Sequence, residues 1–541
     1  MPNAEEHPYR PWIDRLLAFT LLLLAIALLT FDLGNVPLRD WDEGIVAQVA
    51  REIAAAPFES LTWLHPTLWG SPYWNKPPLL HGLVAIAYTL GGVQEWTARL
   101  PGALLTACSV PLLYGVGREV FYLRLPSAFA ALVYLTSLAL VRNGRLAMLD
   151  GGVVCFSLLM LLCLLRARRN YRYSLGVGLG LGLLCLTKGV MVAGLMGAIA
   201  LLFLRWDTPR LLRLPYFWVG ILVGCIPAAM WYTAQLQRYG QLFFMHHLLD
   251  QSAQRVWEDV ENNQGPPWYY LLELVKYGVP WILFLPQGLQ LAWKNRNLSW
   301  AKLAIVWSGL YFLAISLMAT KLPWYILPLY PALSLIVGAQ VATLWRGGKH
   351  VGIKQWIFKP YSPLWMGMFA LLALVGWLGM LYYGWWSQPL EAELQNTLSA
   401  FALTMTVTAW LIARQNPQFL AVLIWGMYVS LMLFFHSPHW NWELAERYPV
   451  RPVAAIVQRF VPPGQEVYTS DPETRPSLNF YSDRPILPTP DRRLQRLWRR
   501  KQPQFFLLDP KAQSRLQLKD AKVLGQMEGW KLVTPAKSVQ K

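Results

Sequence analysis

Long apolar stretches separated by short polar segments dominate the chain from residue 13 to residue 436. A helix that crosses a bilayer needs about 20 residues, with a range of about 17–25. A further apolar stretch, 79–92, is the shortest, and we expect it to lie at the membrane interface or to re-enter the membrane. We therefore expect thirteen spanning helices, at residues 13–31, 100–117, 125–141, 151–165, 174–187, 190–204, 215–234, 277–293, 300–319, 323–345, 364–385, 397–413 and 418–436.

The charges agree with a polytopic membrane protein. Of 541 residues, 48 are Lys or Arg and 30 are Asp or Glu, so the net charge is +18. With the N-terminus in the cytoplasm, the cytoplasmic loops carry more Lys and Arg than the outer loops, as the positive-inside rule requires. The basic excess therefore follows the membrane and does not indicate a nucleic-acid partner. A composition of 55% hydrophobic and 14% charged residues excludes a soluble globular enzyme, a disordered chain and a disulfide-rich secreted domain.

The composition changes after residue 436, where apolar runs become short. The segments 466–470 (EVYTS) and 505–509 (FFLLD) have the pattern of short strands between turn and helix signals. We expect residues 1–436 to form the transmembrane domain, with outer loops 31–78 and 236–275, and residues 437–541 to form a small α/β domain outside the membrane. The basic stretch 492–501 is interpreted as a solvated helix face or as a contact with anionic lipid headgroups.

Ionisable residues gather in the outer loops, whereas the middles of the apolar stretches carry almost no charge. Transporters place such residues near the middle of the membrane, so this distribution favours an enzyme that works at the interface. Asp42 and Glu43 begin an amphipathic pattern with Ile45, Val49 and Ile53, which predicts a helix on the membrane surface. Asp42 is either an N-cap or a catalytic acid.

Lys76, held before Pro-Pro in N-K-P-P-L, either binds a lipid phosphate or is an ordinary interfacial lysine. Arg145 and Asp150 lie between two spans, and Asp150 either caps a helix or takes part in chemistry. His247 and Arg255 lie in the second long loop. Adjacent histidines such as 246 and 247 point in different directions on a helix, so one metal site that uses both is not expected. Lys321 and Tyr325 stand at the outer entry of a span.

Four motifs in order carry a resemblance to a known family. They are W-D-E-G followed by V-A-R-E, then N-K-P-P-L, then R-x-x-R-L-A-M-L-D, then K-L-P-W-Y-I-L-P. Over about residues 10–345 the chain resembles the polyprenyl-phosphate-dependent glycosyltransferases of the GT-C superfamily, which include the lipid A aminoarabinose transferases and the protein O-mannosyltransferases. The resemblance implies the GT-C fold, an all-α polytopic membrane domain.

The resemblance also implies roles for individual residues. Asp42 matches the catalytic acid and Asp150 a second important acid, with Glu43 as a further catalytic candidate. Three residues match positions that hold the carrier phosphate, namely Lys76, Arg255 and Tyr325. His247, Lys321 and Arg145 are candidates for contact with a substrate or a metal. Asn75 stands where the aminoarabinose enzymes carry a zinc-binding Glu, which argues against a divalent metal cofactor, although His247 remains available as a ligand.

The sequence thus predicts a glycosyltransferase whose donor is a sugar on a polyprenyl phosphate such as undecaprenyl phosphate. Transfer is expected to invert the anomeric carbon. The acceptor is a lipid or another extracytoplasmic glycan or protein, and membrane lipids surround the chain. A bacterial inner membrane with the active site facing the periplasm is the expected location. A transporter or flippase of lipid-linked sugars and a protein O-glycosyltransferase are the alternatives, and Lys188 is the nearest candidate for a transporter charge.

Overall fold

The computed structural model describes residues 11–258, 263–347, 361–440, 448–499, 504–516, 518 and 520–536. The chain divides into two compact units. The first unit consists of Met1–Asn35, Trp74–Leu80 and Arg99–Trp440. The second unit consists of Val36–Tyr73, His81–Ala98 and Asn441–Lys541. Much of the first outer loop is therefore grouped with the C-terminal residues, a division that differs from the expected boundary after residue 436.

The first unit is helical throughout its described residues. Its α-helices are Pro11–Thr30, Glu95–Phe121 (whose first turn belongs to the second unit), Arg124–Leu135, Leu138–Arg145, Asp150–Ala167, Ser174–Lys188, Val190–Asp207, Pro215–Gly224, Ile226–Tyr239, Gln241–Phe243, Gln254–Trp257, Tyr269–Gly278, Leu285–Lys294, Ser299–Leu317, Tyr330–Gly347, Pro363–Leu381, Ala392–Ala413 and Phe419–His436. Two π-helices, Phe244–Ala253 and Tyr382–Trp386, and 3-10 turns at Tyr171–Tyr173, Pro209–Arg213, Trp281–Phe284, Pro323–Leu329 and Pro438–Trp440 connect them.

The predicted spans coincide with helices in the described residues. Nine helices are long and apolar enough to cross a membrane, and the count rises to eleven if each of two bent pairs is one span. The two remaining predictions fall on shorter helical segments, Ser174–Lys188 and 281–294. The helix Leu79–Gly91 has 13 residues, which is too short to span a bilayer.

Both bent pairs have a local cause. The pair Arg124–Leu135 and Leu138–Arg145 is bent by 57°. At its break the hydroxyls of Thr136 and Ser137 donate to the carbonyls of Leu132 and Val133, both at 2.7 Å, which competes with the helical hydrogen bonds. The pair Pro215–Gly224 and Ile226–Tyr239 is bent by 51° next to Pro227, which cannot donate a backbone hydrogen bond.

The second unit is built around a five-stranded mixed sheet. Its strands are β3 (Val467–Thr469), β4 (Ile486–Pro488), β5 (Phe505–Leu508), β6 (Ala521–Met527) and β7 (Trp530–Pro535), and a two-stranded ribbon of β1 (Thr67–Leu68) and β2 (Ser71–Pro72) lies outside it. The strand order is β4-β3-β5-β7-β6, with β3 parallel to both β4 and β5, and β7 antiparallel to both β5 and β6. The predicted strands at 466–470 and 505–509 are β3 and β5.

The helices of the second unit come from both parts of the chain. They are Asp42–Ala55, most of Leu79–Gly91, Val450–Phe460, Pro476–Ser482, Asp491–Trp498 and Pro510–Leu516, with a 3-10 turn at Phe58–Ser60. The apolar core includes Val453, Val457, Leu478, Ile486 and Leu532. The basic helix Asp491–Trp498 buries Leu494 and Leu497 and leaves its arginines at the surface, as expected for a solvated helix face. Residues 500 and 501 of that predicted stretch lie outside the described residues.

Candidate functional site

Four polar side chains from separate segments of the first unit form a continuous chain of contacts. The Lys188 ammonium donates to Asp150 Oδ1 at 2.6 Å and lies 5.3 Å from the centre of the Tyr325 ring. The Tyr325 hydroxyl accepts a hydrogen bond from Arg255 Nη1 at 3.1 Å. The structure thus brings together three residues predicted for the site, and Lys188 connects them.

Asp150 and Lys188 lie at helix ends that suit their charges. Asp150 begins the helix Asp150–Ala167, and Lys188 ends the helix Ser174–Lys188. A helix dipole stabilises an anion at its N-terminus and a cation at its C-terminus. A methyl group on Gly151 would collide with Thr106 and with the Gly102 carbonyl, so the segment after Asp150 must pack closely. The side chains of Asp150 and Lys188 are only 3% and 12% exposed, so the pair is held away from water.

Main-chain hydrogen bonds fix the position of Arg255. The amides of Ala319 and Thr320 donate to the carbonyls of Val256 and Arg255, at 3.0 and 3.3 Å. Nη2 of Arg255 donates to Gln251 at 3.0 Å. Its Nε is buried and has no hydrogen-bond partner among the residues that the structure describes. The guanidinium is therefore oriented by protein contacts while one of its donors is unsatisfied, as expected for a group that binds an anionic ligand.

Lys76 directly follows Trp74 and Asn75, two residues that contact histidines of the second outer loop. His247 Nδ1 is 2.7 Å from the Trp74 carbonyl oxygen, and His246 Nε2 is 2.7 Å from Asn75 Oδ1. Burial, and secondarily the charges of Lys76 and His246, lowers the pKa of His247 to about 4. His247 is therefore neutral at pH 7, and the partly buried Lys76 lies within electrostatic reach of it.

These residues do not fit a zinc ion. Both ring nitrogens of His247 have protein partners, because Nε2 lies 3.2 Å from the Tyr232 hydroxyl. His246 faces the neutral Asn75 amide instead of a carboxylate, and its other nitrogen is 3.6 Å from Asp250. Within the described ranges no group of three or more His, Cys, Asp or Glu side chains is arranged to hold a metal. The two histidines contact different partners, as their adjacent positions predict.

Arg145 and Lys321 satisfy backbone carbonyls inside the first unit. Arg145 is fully buried and donates to the carbonyls of Leu28 and Asp32, at 3.1 and 3.2 Å, near the end of the first helix. Lys321 donates to two carbonyls at the end of the helix Ser299–Leu317, at 3.1 and 2.6 Å. Both residues therefore act as helix caps in this structure, and their contact with a substrate stays a prediction.

Asp42 and Glu43 belong to the second unit, where they open the helix Asp42–Ala55. Asp42 is the first helical residue and Trp41 holds the N-cap position, without a side-chain cap and with a φ of 61° that is strained for a bulky residue. The N-cap interpretation of Asp42 is therefore wrong. Glu43 is fully buried, and its carboxylate accepts the Arg39 amide at 2.8 Å. This contact closes the turn before the helix, and a catalytic role for Glu43 stays a prediction.

Sequence reasoning missed how this helix is anchored. Asp40 is 5% exposed, forms an ion pair with Arg475 and accepts the Ser477 amide at 3.1 Å. A Cβ on Gly44 would lie 2.7 Å from the Ser477 nitrogen, so only glycine allows this approach. The helix buries Val46 and other residues against protein, and the predicted apolar stripe is only partly buried. The available signals were Gly44 and Asp40, the additional acid that stands directly before W-D-E-G.

Comparisons with known proteins show what the chain is similar to. Residues 75–232 match the family model described as dolichyl-phosphate-mannose-protein mannosyltransferase. The chain is 30% identical over 368 residues to undecaprenyl phosphate-alpha-4-amino-4-deoxy-L-arabinose arabinosyl transferase 1 of Pseudomonas fluorescens, covering 66% of this chain and 65% of that protein. A second such transferase, from another strain of Pseudomonas fluorescens, is 28% identical over 418 residues, covering 75% and 72%. The alignments thus span about two thirds of the length of these curated relatives.

The whole fold also has a counterpart among solved structures. It is similar to the crystal structure of ArnT from Cupriavidus metallidurans bound to undecaprenyl phosphate, with a TM-score of 0.76 and 20% identity over 98% of this chain and 99% of that one. The predicted class, a lipid-phosphate-dependent glycosyltransferase, agrees with the names of these relatives. The chain is therefore a multi-pass membrane protein with the GT-C fold, and its predicted resemblance to the polyprenyl-phosphate-dependent glycosyltransferases is confirmed.

Proposed function

We propose that this chain is an integral-membrane glycosyltransferase that moves a sugar from a polyprenyl phosphate to a lipid acceptor. The observation that carries the proposal is the oriented Arg255 guanidinium, which is bonded to the Tyr325 hydroxyl and has an unsatisfied Nε. Arginine and a hydroxyl together suit a phosphate, because both donate hydrogen bonds to its oxygens. The bound group would be the phosphate of the lipid carrier.

The reaction exchanges one bond at the anomeric carbon of the sugar. The bond from C1 to the carrier phosphate breaks, and a bond from C1 to the acceptor oxygen forms. Positive charge develops on the sugar and negative charge on the leaving phosphate. Arg255, Tyr325 and Lys76 would stabilise the phosphate, and a monophosphate with two cations needs no metal ion. The acceptor proton would pass to Asp42, whose role follows from its motif.

Asp150 would act with its partner Lys188. The ion pair places a buried carboxylate and ammonium next to the Tyr325 ring. In this proposal the pair holds Tyr325 in the orientation that lets its hydroxyl meet the phosphate. Lys188 lies at the end of its helix and not in the middle of a span, which favours this positioning role over the charge of a lipid-linked-sugar transporter.

The acceptor and the location are proposed from the relatives. The names of the transferases from Pseudomonas fluorescens indicate undecaprenyl phosphate-aminoarabinose as the donor to test first. A lipid acceptor at the periplasmic face of a bacterial inner membrane fits the distribution of Lys and Arg between the loops. The family model that covers residues 75–232 is named for protein mannosyltransferases, so a protein acceptor is the second candidate.

The test is a transfer assay with the purified chain in detergent, with a polyprenyl-phosphate sugar and either lipid A or a peptide as acceptor. Mass spectrometry of the products identifies the acceptor, and activity in detergent excludes a pure transporter. Arg255→Ala is expected to lower the rate roughly 10²–10³-fold, in the range measured for lost oxyanion donors. Arg238→Ala is the matched control, because Arg238 is an exposed arginine beside Tyr239. Equal rates for both variants would refute the proposal.

A further inference from the structure

A cavity of about 700 Å³ lies in the second unit, at the carboxyl ends of the parallel strands β3, β4 and β5. The chain leaves β3 toward β4 on one side and then returns to β5 on the other side. Ligands of open α/β sheets bind where successive connections diverge in this way. The volume lies within the range of about 300–1,000 Å³ that is usual for small-molecule sites. The lining residues are Ser470, Asp471, Pro472, Pro488, Thr489, Pro490, Asp491, Asp509, Lys511, Arg515 and Trp530.

The charged groups of this cavity are ordered by contacts with one another. Arg515 forms two hydrogen bonds with Asp491, from Nε to Oδ2 at 2.6 Å and from Nη2 to Oδ1 at 3.0 Å. Asp509 accepts the amides of Lys511 and Ala512 at 2.7 and 3.0 Å. These contacts present planar carboxylate and guanidinium groups side by side at the cavity wall. Asp471, which is only 3% exposed, adds a third carboxylate.

Apolar surface lines the same cavity. Trp530 lies with its ring centre 4.5 Å from that of Tyr448, which holds the indole in place. Pro472, Pro488 and Pro490 contribute rigid apolar walls. Trp530 is only 7% exposed, and its exposed part and the prolines lie beside the paired carboxylate and guanidinium groups. The cavity wall is therefore apolar in one part and rich in donors and acceptors in another.

The lining chemistry distinguishes among ligand classes. A phosphate or nucleotide would face three aspartates, whose charges repel it. A metal ion would need a set of ligands, and no such group of His, Cys, Asp or Glu side chains occurs in the described part of the chain. We propose that this cavity binds a carbohydrate, whose hydroxyls both donate to Asp471 and Asp491 and accept from Arg515 and Lys511, and whose apolar ring face packs against Trp530. The proposal does not rest on the transfer reaction.

The test is saturation-transfer-difference NMR on the full-length chain, in a detergent without a sugar headgroup. The probes are maltoheptaose, a phosphate-free oligosaccharide released from bacterial lipopolysaccharide, and the intact glycolipid. We expect saturable signals from sugar ring protons with at least one probe, and the tighter binder shows whether the source is a free glycan or a glycolipid. Arg515→Ala and Lys511→Ala should each weaken binding about tenfold, and both residues are exposed, so folding is not at risk.

Arg459→Ala is the control, since Arg459 is an exposed arginine of the same unit that does not line the cavity. Saturable sugar binding that is lost in the Arg515 and Lys511 variants and kept in the Arg459 variant supports the proposal. No saturable signal, binding unchanged in both the Arg515 and Lys511 variants, or displacement of the sugar by inorganic phosphate alone would overturn it. Transfer activity is measured in the same samples, so failure of sugar binding at this cavity is separable from failure of the proposed reaction.

Discussion

The ion pair between Lys188 and Asp150 gives the sharpest test of how the first unit holds its polar groups. The charged atoms are 2.6 Å apart, and the side chains are 12% and 3% exposed. With an effective dielectric constant of about 20, Coulomb's law gives an attraction of about 6 kcal/mol at this distance, before the cost of removing both ions from water. Removing one partner leaves the other charge buried and alone, which costs about 3–5 kcal/mol.

The assay compares Lys188→Met, Asp150→Asn and the double variant by thermal unfolding in detergent. Each single variant should melt well below the parent chain. The double variant should recover more than half of the loss caused by Lys188→Met, because no unpaired charge remains. Lys276→Met is the control, since Lys276 is exposed and lies over Tyr277, and it should change stability by less than about 0.5 kcal/mol.

Two results would refute this reasoning. If the losses of the single variants simply add in the double variant, the pair contributes no coupling energy. If the double variant regains transfer activity together with stability, the role of Asp150 is confined to holding Lys188. We expect stability to return and activity to stay low, because the resemblance gives Asp150 a part in the reaction.

Three further predictions concern single residues. Arg255→Lys keeps the charge and loses the hydrogen bond to the Tyr325 hydroxyl, so transfer should fall about tenfold, less than for Arg255→Ala; equal losses in a rate assay would contradict this. The pKa of His247 is about 4 when folded and about 6.5 when unfolded, so the unfolded state binds the extra proton between these values. Stability should therefore be complete above pH 6.5 and fall by roughly 3 kcal/mol toward pH 4, and pH-dependent melts of His247→Gln should lose that slope. Gly44→Ala should speed proteolysis of the C-terminal residues, because the new methyl group would lie 2.7 Å from the backbone nitrogen of Ser477. Gly82→Ala is the control, since a methyl group there meets nothing within 4 Å.

The apolar pattern predicted the helices well because each spanning helix buries its side chains in lipid or in neighbouring helices along its whole length. The bend at Thr136 and Ser137 was not predicted, since it depends on which carbonyls the two hydroxyls reach. Charge counting suggested the orientation of the loops. It could not show that Lys188 pairs with Asp150, because 38 residues separate them and no local pattern joins them.

Some of the predicted site residues lie close together where a motif constrains the local backbone. Arg255 and Tyr325 meet because the amides of Ala319 and Thr320, just before the K-L-P-W-Y segment, donate to the carbonyls of Val256 and Arg255. The hydrogen bonds of Arg145 to helix-end carbonyls were not predicted, since a buried arginine that caps helix ends has the same sequence neighbourhood as one that contacts a substrate. The cavity in the C-terminal residues was also missed, because its walls come from the ends of three strands that only folding brings together.

The contact between Asp40 and Arg475 has a consequence for synthesis of the protein. The two residues are 435 positions apart in the chain. At about 5–20 residues per second, a ribosome needs roughly 20–90 s to make Arg475 after Asp40 has emerged. The helix Asp42–Ala55 therefore lacks this contact until Arg475 has been made. Termination of the chain between His436 and Arg475 would leave all the candidate spanning helices made and this helix without its partner.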